Sequence, residues 1–147
     1  MARTYLRDGR SPTPGSERIS AQMSRIRARN TGPEKAMRRI LVKTGIRGYR
    51  LHYKRVPGRP DLAFVGKKVA VFVHGCFWHC CPYCTPARPK NNRRFWHRKL
   101  DRNVERDSAK AEELRSIGWR VITVWACRLH ERPLFQAARV HRALLGS

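Results

Sequence analysis

A chain of 147 residues suits one compact domain. It carries 33 Lys plus Arg against 10 Asp plus Glu, a formal net charge of +23 distributed over its full length. Such an imbalance costs self-repulsion that a polyanion offsets, so nucleic acid is the expected partner; a basic tail on an acid-binding scaffold would confine the charge to one end. No run approaches the roughly 18 apolar residues of a membrane span, and the opening MARTYLRDGRSPTPGS lacks the apolar core of a secretory signal. The expectation is a monomeric, cytoplasmic, nucleoid-associated protein without membrane contact, in which clustered cysteines suggest metal binding before disulfides.

Residues 1–18, rich in Arg, Ser, Pro and Gly, read as a flexible basic arm, and residues 19–147 as one domain. ISAQMSRIRARN is a short helix candidate. Thr31-Gly32-Pro33-Glu34 then fits a capping box that opens a helix with Met37, Ile40, Leu41 and Thr44 on one side and Gly45 as its stop. Tyr49 to Lys54 alternates like a strand, and Val56-Pro57-Gly58-Arg59-Pro60 is a turn. Asp61 to Val65 and Lys68 to Val73 read as two strands joined at Gly66; the second is apolar enough to be buried on both faces. Residues 74–92 form a loop dense in Cys, His, Pro and aromatics. A long helix follows from about Arg94 to Ser116, stopped at Gly118. Trp119 to Trp125 is another strand of the buried type, and Pro133 to Leu145 a basic amphipathic helix. This order predicts an α/β fold, a mixed sheet flanked by helices.

Cys81-Pro82-Tyr83-Cys84 is a C-x-x-C pair, with Cys76 shortly before it and Cys127 just beyond a strand. Zinc takes four thiolate or imidazole ligands, which Cys76, Cys81, Cys84 and Cys127 would supply, leaving Cys80 spare. Redox motifs share the C-x-x-C spacing, but the context lacks the helix of thioredoxin chemistry. His79 and Cys80 compete as ligands, and Cys127 alone would also read as a buried apolar residue.

With so few acids, those in apolar settings are informative. Asp61 follows a turn proline and opens an apolar strand, where it either caps the turn or points into a site and binds a hard cation such as magnesium. On the long helix, Asn103 and Asp107 fall within the stripe formed by Trp96, Leu100, Ala111 and Leu114. Polar residues there need partners: an Arg, a backbone amide, water on a metal, or a catalytic histidine. His74 and His79 bracket Gly75-Cys76-Phe77-Trp78; they are loop histidines, zinc ligands, or proton-transfer groups, and Asp107 could orient one of them. Phe77-Trp78 and Phe95-Trp96, interleaved with basic residues, suit the core or the wedging of a base step, which a mismatch makes cheaper.

The segments MSRIRARNTGPE, GRPDLAF, VAVFVHGCFWHCCPYC, FWHRKLDRNVERD and GWRVITVWAC, in this order from about residue 20 to about 130, resemble the very short patch repair (Vsr) endonucleases. The resemblance implies a restriction-endonuclease-like fold (of the PD-(D/E)xK type) with a structural zinc. It implies magnesium-dependent nicking of double-stranded DNA, 5′ to the thymine of a T·G mismatch left by 5-methylcytosine deamination. It further implies a link to a cytosine-5 methyltransferase, to mismatch-repair proteins and to a repair polymerase. By motif position, Asp61 and the Val73 backbone carbonyl resemble the magnesium ligands of a two-ion site. His79 looks like the base, with Asp107 orienting it; His74, Glu34 and Asn103 look like outer groups that hold water or phosphate. Phe77, Trp78 and Trp96 resemble a DNA wedge, and Met23 a contact from the opposite groove. Two features depart from the pattern: Val73-His74 stands where restriction-type folds often carry an acid-x-Lys motif, and the zinc set is all cysteine where the family often uses a histidine. Two other readings share the charge: a nicking endonuclease of different specificity, and a zinc-stabilised nucleic-acid-binding module without catalysis.

Overall fold

The computed structural model describes residues 31–146. The basic arm, the helix candidate at 19–30 and Met23 lie outside the described residues.

Helix α1, Gly32–Lys43, starts where the cap residues place it. The Thr31 hydroxyl accepts from the Glu34 N–H at 3.4 Å, and Pro33 occupies the first turn. Met37 and Leu41 are fully buried and Ile40 packs beside them, whereas Thr44 is exposed and caps the C-terminus. Gly45 then takes a positive φ of 76°, and the Ile46 N–H turns back onto the Leu41 carbonyl.

Strands β1 (Arg50–Leu51), β2 (Leu62–Phe64), β3 (Val69–His74) and β4 (Arg120–Trp125) form one sheet in that order. The first three run antiparallel, and β4 lies parallel to β3. β1 is shorter than its alternation predicts. His52 takes a positive φ of 47°, and Pro60 opposite has no N–H to return, so the bonds from His52 N to Asp61 O and from Tyr53 N to Pro60 O extend the pairing from one side only. β2 and β3 are joined by a 3-10 turn over Val65–Lys67, and the left-handed residue that closes it is Lys68, not Gly66.

β3 is the buried centre. β4 is not buried in the same way: it pairs only with β3, and its residues alternate in exposure. Arg139 donates to the Thr123 carbonyl at 3.0 Å, which satisfies an edge acceptor.

Helix α2, Arg93–Ser116, makes the crossover between β3 and β4. On one face of the sheet Leu114 and Trp119 pack with Ala63 and Ala70; on the other, Met37, Leu41, Leu129 and Val140 cover Val69, Val71 and Val124. The second layer includes a helix that the sequence pattern does not announce, α3 (Ala126–Glu131), before α4 (Pro133–Leu144). Cys127 therefore sits in the first turn of a helix. The turn before Asp61 is wedged against both α2 and the sheet. A Cβ on Gly58, whose φ is +80°, would lie 2.9 Å from Lys110 Cβ and 3.1 Å from the Phe72 ring.

Candidate active site and cysteine cluster

Parallel strands gather ligands at their carboxyl ends. His74 and Trp125 are paired there, at the ends of β3 and β4, and a cleft opens beside them. Glu34, Asp61, Val73, His74, His79 and Asp107 all line it. Three of the chain's ten acids thus share one cleft in a protein of net charge +23.

The first cluster in the cleft is rich in oxygen. Asp61 Oδ2 accepts from the Val73 N–H at 2.7 Å, which fixes the carboxylate just before β2 against β3. Glu34, at the start of α1, meets His52 Nε2 at 2.9 Å through Oε2. Glu34, His52 and Asp61 each offer a ligand atom, and these atoms lie within 4.8 Å of one another. Burial pushes the Asp61 carboxyl up to about 6; the neighbouring Glu34 adds to this, while the Val73 N–H and His52 oppose it. Such a carboxyl gains from an arriving cation.

The second cluster is rich in imidazole. His79 Nδ1 meets Asp107 Oδ2 at 2.5 Å, as a histidine oriented by a helix carboxylate should. The His74 ring lies parallel to that of His79, with centroids 3.9 Å apart. Burial pulls the His74 pKa down to about 4; His79 pulls in the same direction and Asp107 opposes. The Nδ1 of His74 is buried and has no hydrogen-bond partner among the described residues.

The other predicted positions divide. Asn103 donates to the Trp78 carbonyl at 3.1 Å, so it holds the aromatic loop. Phe77 and Trp78 are partly exposed, and their rings lie 5.7 and 5.9 Å from that of Trp96, which is 7% exposed and supports them from inside. Lys99 stands 5.5 Å from the Trp78 ring, a cation on the same surface that the sequence reading passed over. Arg88 reaches from the loop to Asp101 at 2.9 Å and latches it to α2. His52 was also missed. Its signal is its place opposite Asp61 in a hairpin, visible only once the register is known.

Cys76, Cys81, Cys84 and Cys127 bring their sulfurs within 4.8 Å of one another, and Cys80 stands apart beside Arg88. Zinc–sulfur bonds of about 2.3 Å in a tetrahedron separate the sulfurs by roughly 3.8 Å. The Sγ atoms of Cys81 and Cys127 are 3.6 Å apart, and the Cys127 N–H points at Cys76 Sγ at 3.4 Å. Donor type and spacing fit one tetrahedral ion. Trp78 and His79 lie between two of these cysteines, so an ion closing the cluster would fix the loop that carries His79.

A mixed α/β fold, a basic surface and a cleft pairing an imidazole–carboxylate dyad with buried acids define a class, the nucleic-acid hydrolases. Residues 14–84 match the family model of the DNA mismatch endonuclease Vsr. The chain is 40% identical over 121 residues to the type II nicking enzyme V.XorIIP of Xanthomonas oryzae pv. oryzae, covering 82% of this chain and 88% of that one. It is 37% identical over 116 residues to the DNA mismatch endonuclease Vsr of Escherichia coli K12, covering 77% and 72%. Among solved structures, the catalytic domain of the homing endonuclease I-Bth0305I shares the fold. Its TM-score is 0.54 at 24% identity, over 80% of this chain and 97% of that one. The chain belongs to the Vsr family of DNA endonucleases. No helix among the described residues is long and apolar enough to cross a membrane.

Proposed function

We propose that the protein nicks one strand of duplex DNA on the 5′ side of the thymine in a T·G mismatch, as the first step of very short patch repair. The observation that carries the reading is the His79–Asp107 pair, 2.5 Å apart in the same cleft as Asp61. Asp107 accepts the Nδ1 proton of His79 and leaves the Nε2 lone pair free. That nitrogen takes a proton from water, the water oxygen bonds to phosphorus, and the bond from phosphorus to the leaving oxygen breaks. Asp61 and the Val73 carbonyl would hold magnesium, which when bound neutralises the phosphate and polarises it. Glu34 and His74 border that space. Phe77 and Trp78, supported by Trp96, face the duplex as a wedge, and Met23 is assigned to the opposite groove. The fold is read as restriction-endonuclease-like, with the four cysteines holding a structural zinc.

Purified protein with magnesium is expected to nick a T·G duplex much faster than its T·A counterpart. Equal rates remove mismatch recognition and leave a nuclease of other specificity. That second reading has its own support, because several relatives bear the name type II nicking enzyme. Binding without cleavage on any duplex leaves only the non-catalytic module.

A further inference from the structure

We infer that His52 is a direct nitrogen ligand of the divalent ion held at Asp61, and that it tunes this site toward manganese-class ions relative to magnesium. The inference rests on the reading of Asp61 as a metal ligand and goes beyond it.

The argument starts from backbone geometry. His52 closes β1 in a left-handed conformation, φ 47°, unusual for a residue with a side chain. Its N–H still donates to the Asp61 carbonyl at 3.1 Å, so the two residues remain cross-strand partners. The twist brings the ring inward: the His52 side chain is 15% exposed and Glu34 beside it 7%. A solvated histidine at the end of an edge strand needs neither burial nor strain.

The donor set comes next. An ion about 2.0–2.2 Å from each of two oxygens and a nitrogen can touch donors up to roughly 4.4 Å apart. The ligand atoms of Glu34, His52 and Asp61 lie within 4.8 Å of one another, so a small inward adjustment of side chains closes the set. The nitrogen already faces that space, since it is Nε2 that meets Glu34 Oε2. Magnesium prefers oxygen ligands and keeps its waters, whereas imidazole suits later first-row ions and is tolerated by manganese. A partly buried imidazole beside two carboxylates therefore favours the softer ion. The same nitrogen bonds Glu34, whose carboxyl also meets that of Asp61, so all three groups already converge on one point.

The test uses zinc-loaded, full-length protein titrated with Mn2+. Electron spin-echo modulation of the bound ion is expected to show coupling to a 14N nucleus. In His52→Gln the coupling disappears and Mn2+ affinity falls about tenfold or more, while Mg2+ affinity, measured by competition, falls far less. His79→Gln keeps the coupling, which assigns the nitrogen, and far-ultraviolet circular dichroism checks that each variant folds. Mn2+ that binds with no 14N coupling, or coupling that survives His52→Gln, overturns the inference and leaves Asp61 as a ligand. Mn2+ affinity unchanged in Asp61→Asn overturns the reading beneath it, and the inference falls with it.

Discussion

The two clusters that share the cleft respond to the same burial in opposite chemical directions. Asp61, just before β2, has its pKa pushed up to about 6; His74, at the end of β3, has its pKa pulled down to about 4. Both shifts favour the neutral form, because both groups lose water. At pH 7 His74 is thus neutral, while a carboxyl titrating at about 6 is still mostly ionised. What distinguishes the clusters is what surrounds each shifted group. The oxygen-rich one sets Asp61 beside Glu34 and His52, and the imidazole-rich one sets Asp107 against the ring that stacks on His74.

Removing a side chain from each half gives the largest effect. Asp61→Ala is expected to abolish measurable nicking while DNA affinity holds, since it deletes a metal ligand and no phosphate contact. His79→Ala should lower the nicking rate by about 10²–10⁴-fold, the usual worth of a general base. Extra metal ion is expected to rescue neither. Single-turnover nicking with a parallel binding assay checks both, and normal cleavage by Asp61→Ala would show that the oxygen-rich half is misassigned.

Stability against pH sharpens the contrast at a smaller scale. Asp61 has a raised pKa in the folded state, so its stabilising contribution is complete below about pH 4 and is lost as pH rises through about 6. His74 has a lowered one, so its contribution is complete above about pH 6.5 and is lost as pH falls through about 4. The two slopes oppose each other over the same window, each integrating to roughly 3 kcal/mol. Without added magnesium or manganese, Asp61→Asn should gain stability relative to the wild type as pH rises from 4 to 7. His74→Gln should lose its deficit relative to the wild type as pH falls from 6.5 to 4. Denaturant melts across that range measure both gaps, and parallel curves for wild type and variants would mean that neither group is desolvated as described.

Much of this site was legible in the sequence because its parts announce themselves locally. Thr31 and Pro33 mark the start of α1; the apolar run ending at His74 marks a central strand; and the misplaced Asp107 on the stripe of α2 marks a polar partner, found at His79. What was missed depends on distant pairing. His52 looks like one more polar residue in a basic strand until Asp61 is set opposite it. The shortness of β1 follows from a proline on the neighbouring segment. α3 has six residues and no side-chain cap, so neither periodicity nor a start signal reveals it. That Trp96 packs behind Trp78, nearly buried, is likewise invisible until α2 is set against the loop.

Asn103 provides the smallest and most discriminating effect, because its sequence role and its observed contact predict different losses. If it held water or phosphate beside the metal, Asn103→Ala would raise the metal concentration needed for half-maximal nicking. Its Nδ2 donates instead to the Trp78 carbonyl at 3.1 Å, fixing a residue two positions after Cys76 and one before His79. A neutral hydrogen bond of this kind contributes about 1 kcal/mol net, or roughly fivefold. The loss should therefore appear in KM for the T·G duplex and in the ratio of T·G to T·A cleavage, because a looser Trp78 loop weakens the wedge more than the base. The metal requirement should stay where it was. A shift in metal requirement with KM unmoved would tie Asn103 to the oxygen-rich half and dissolve the division between the two clusters at the point where α2 spans both.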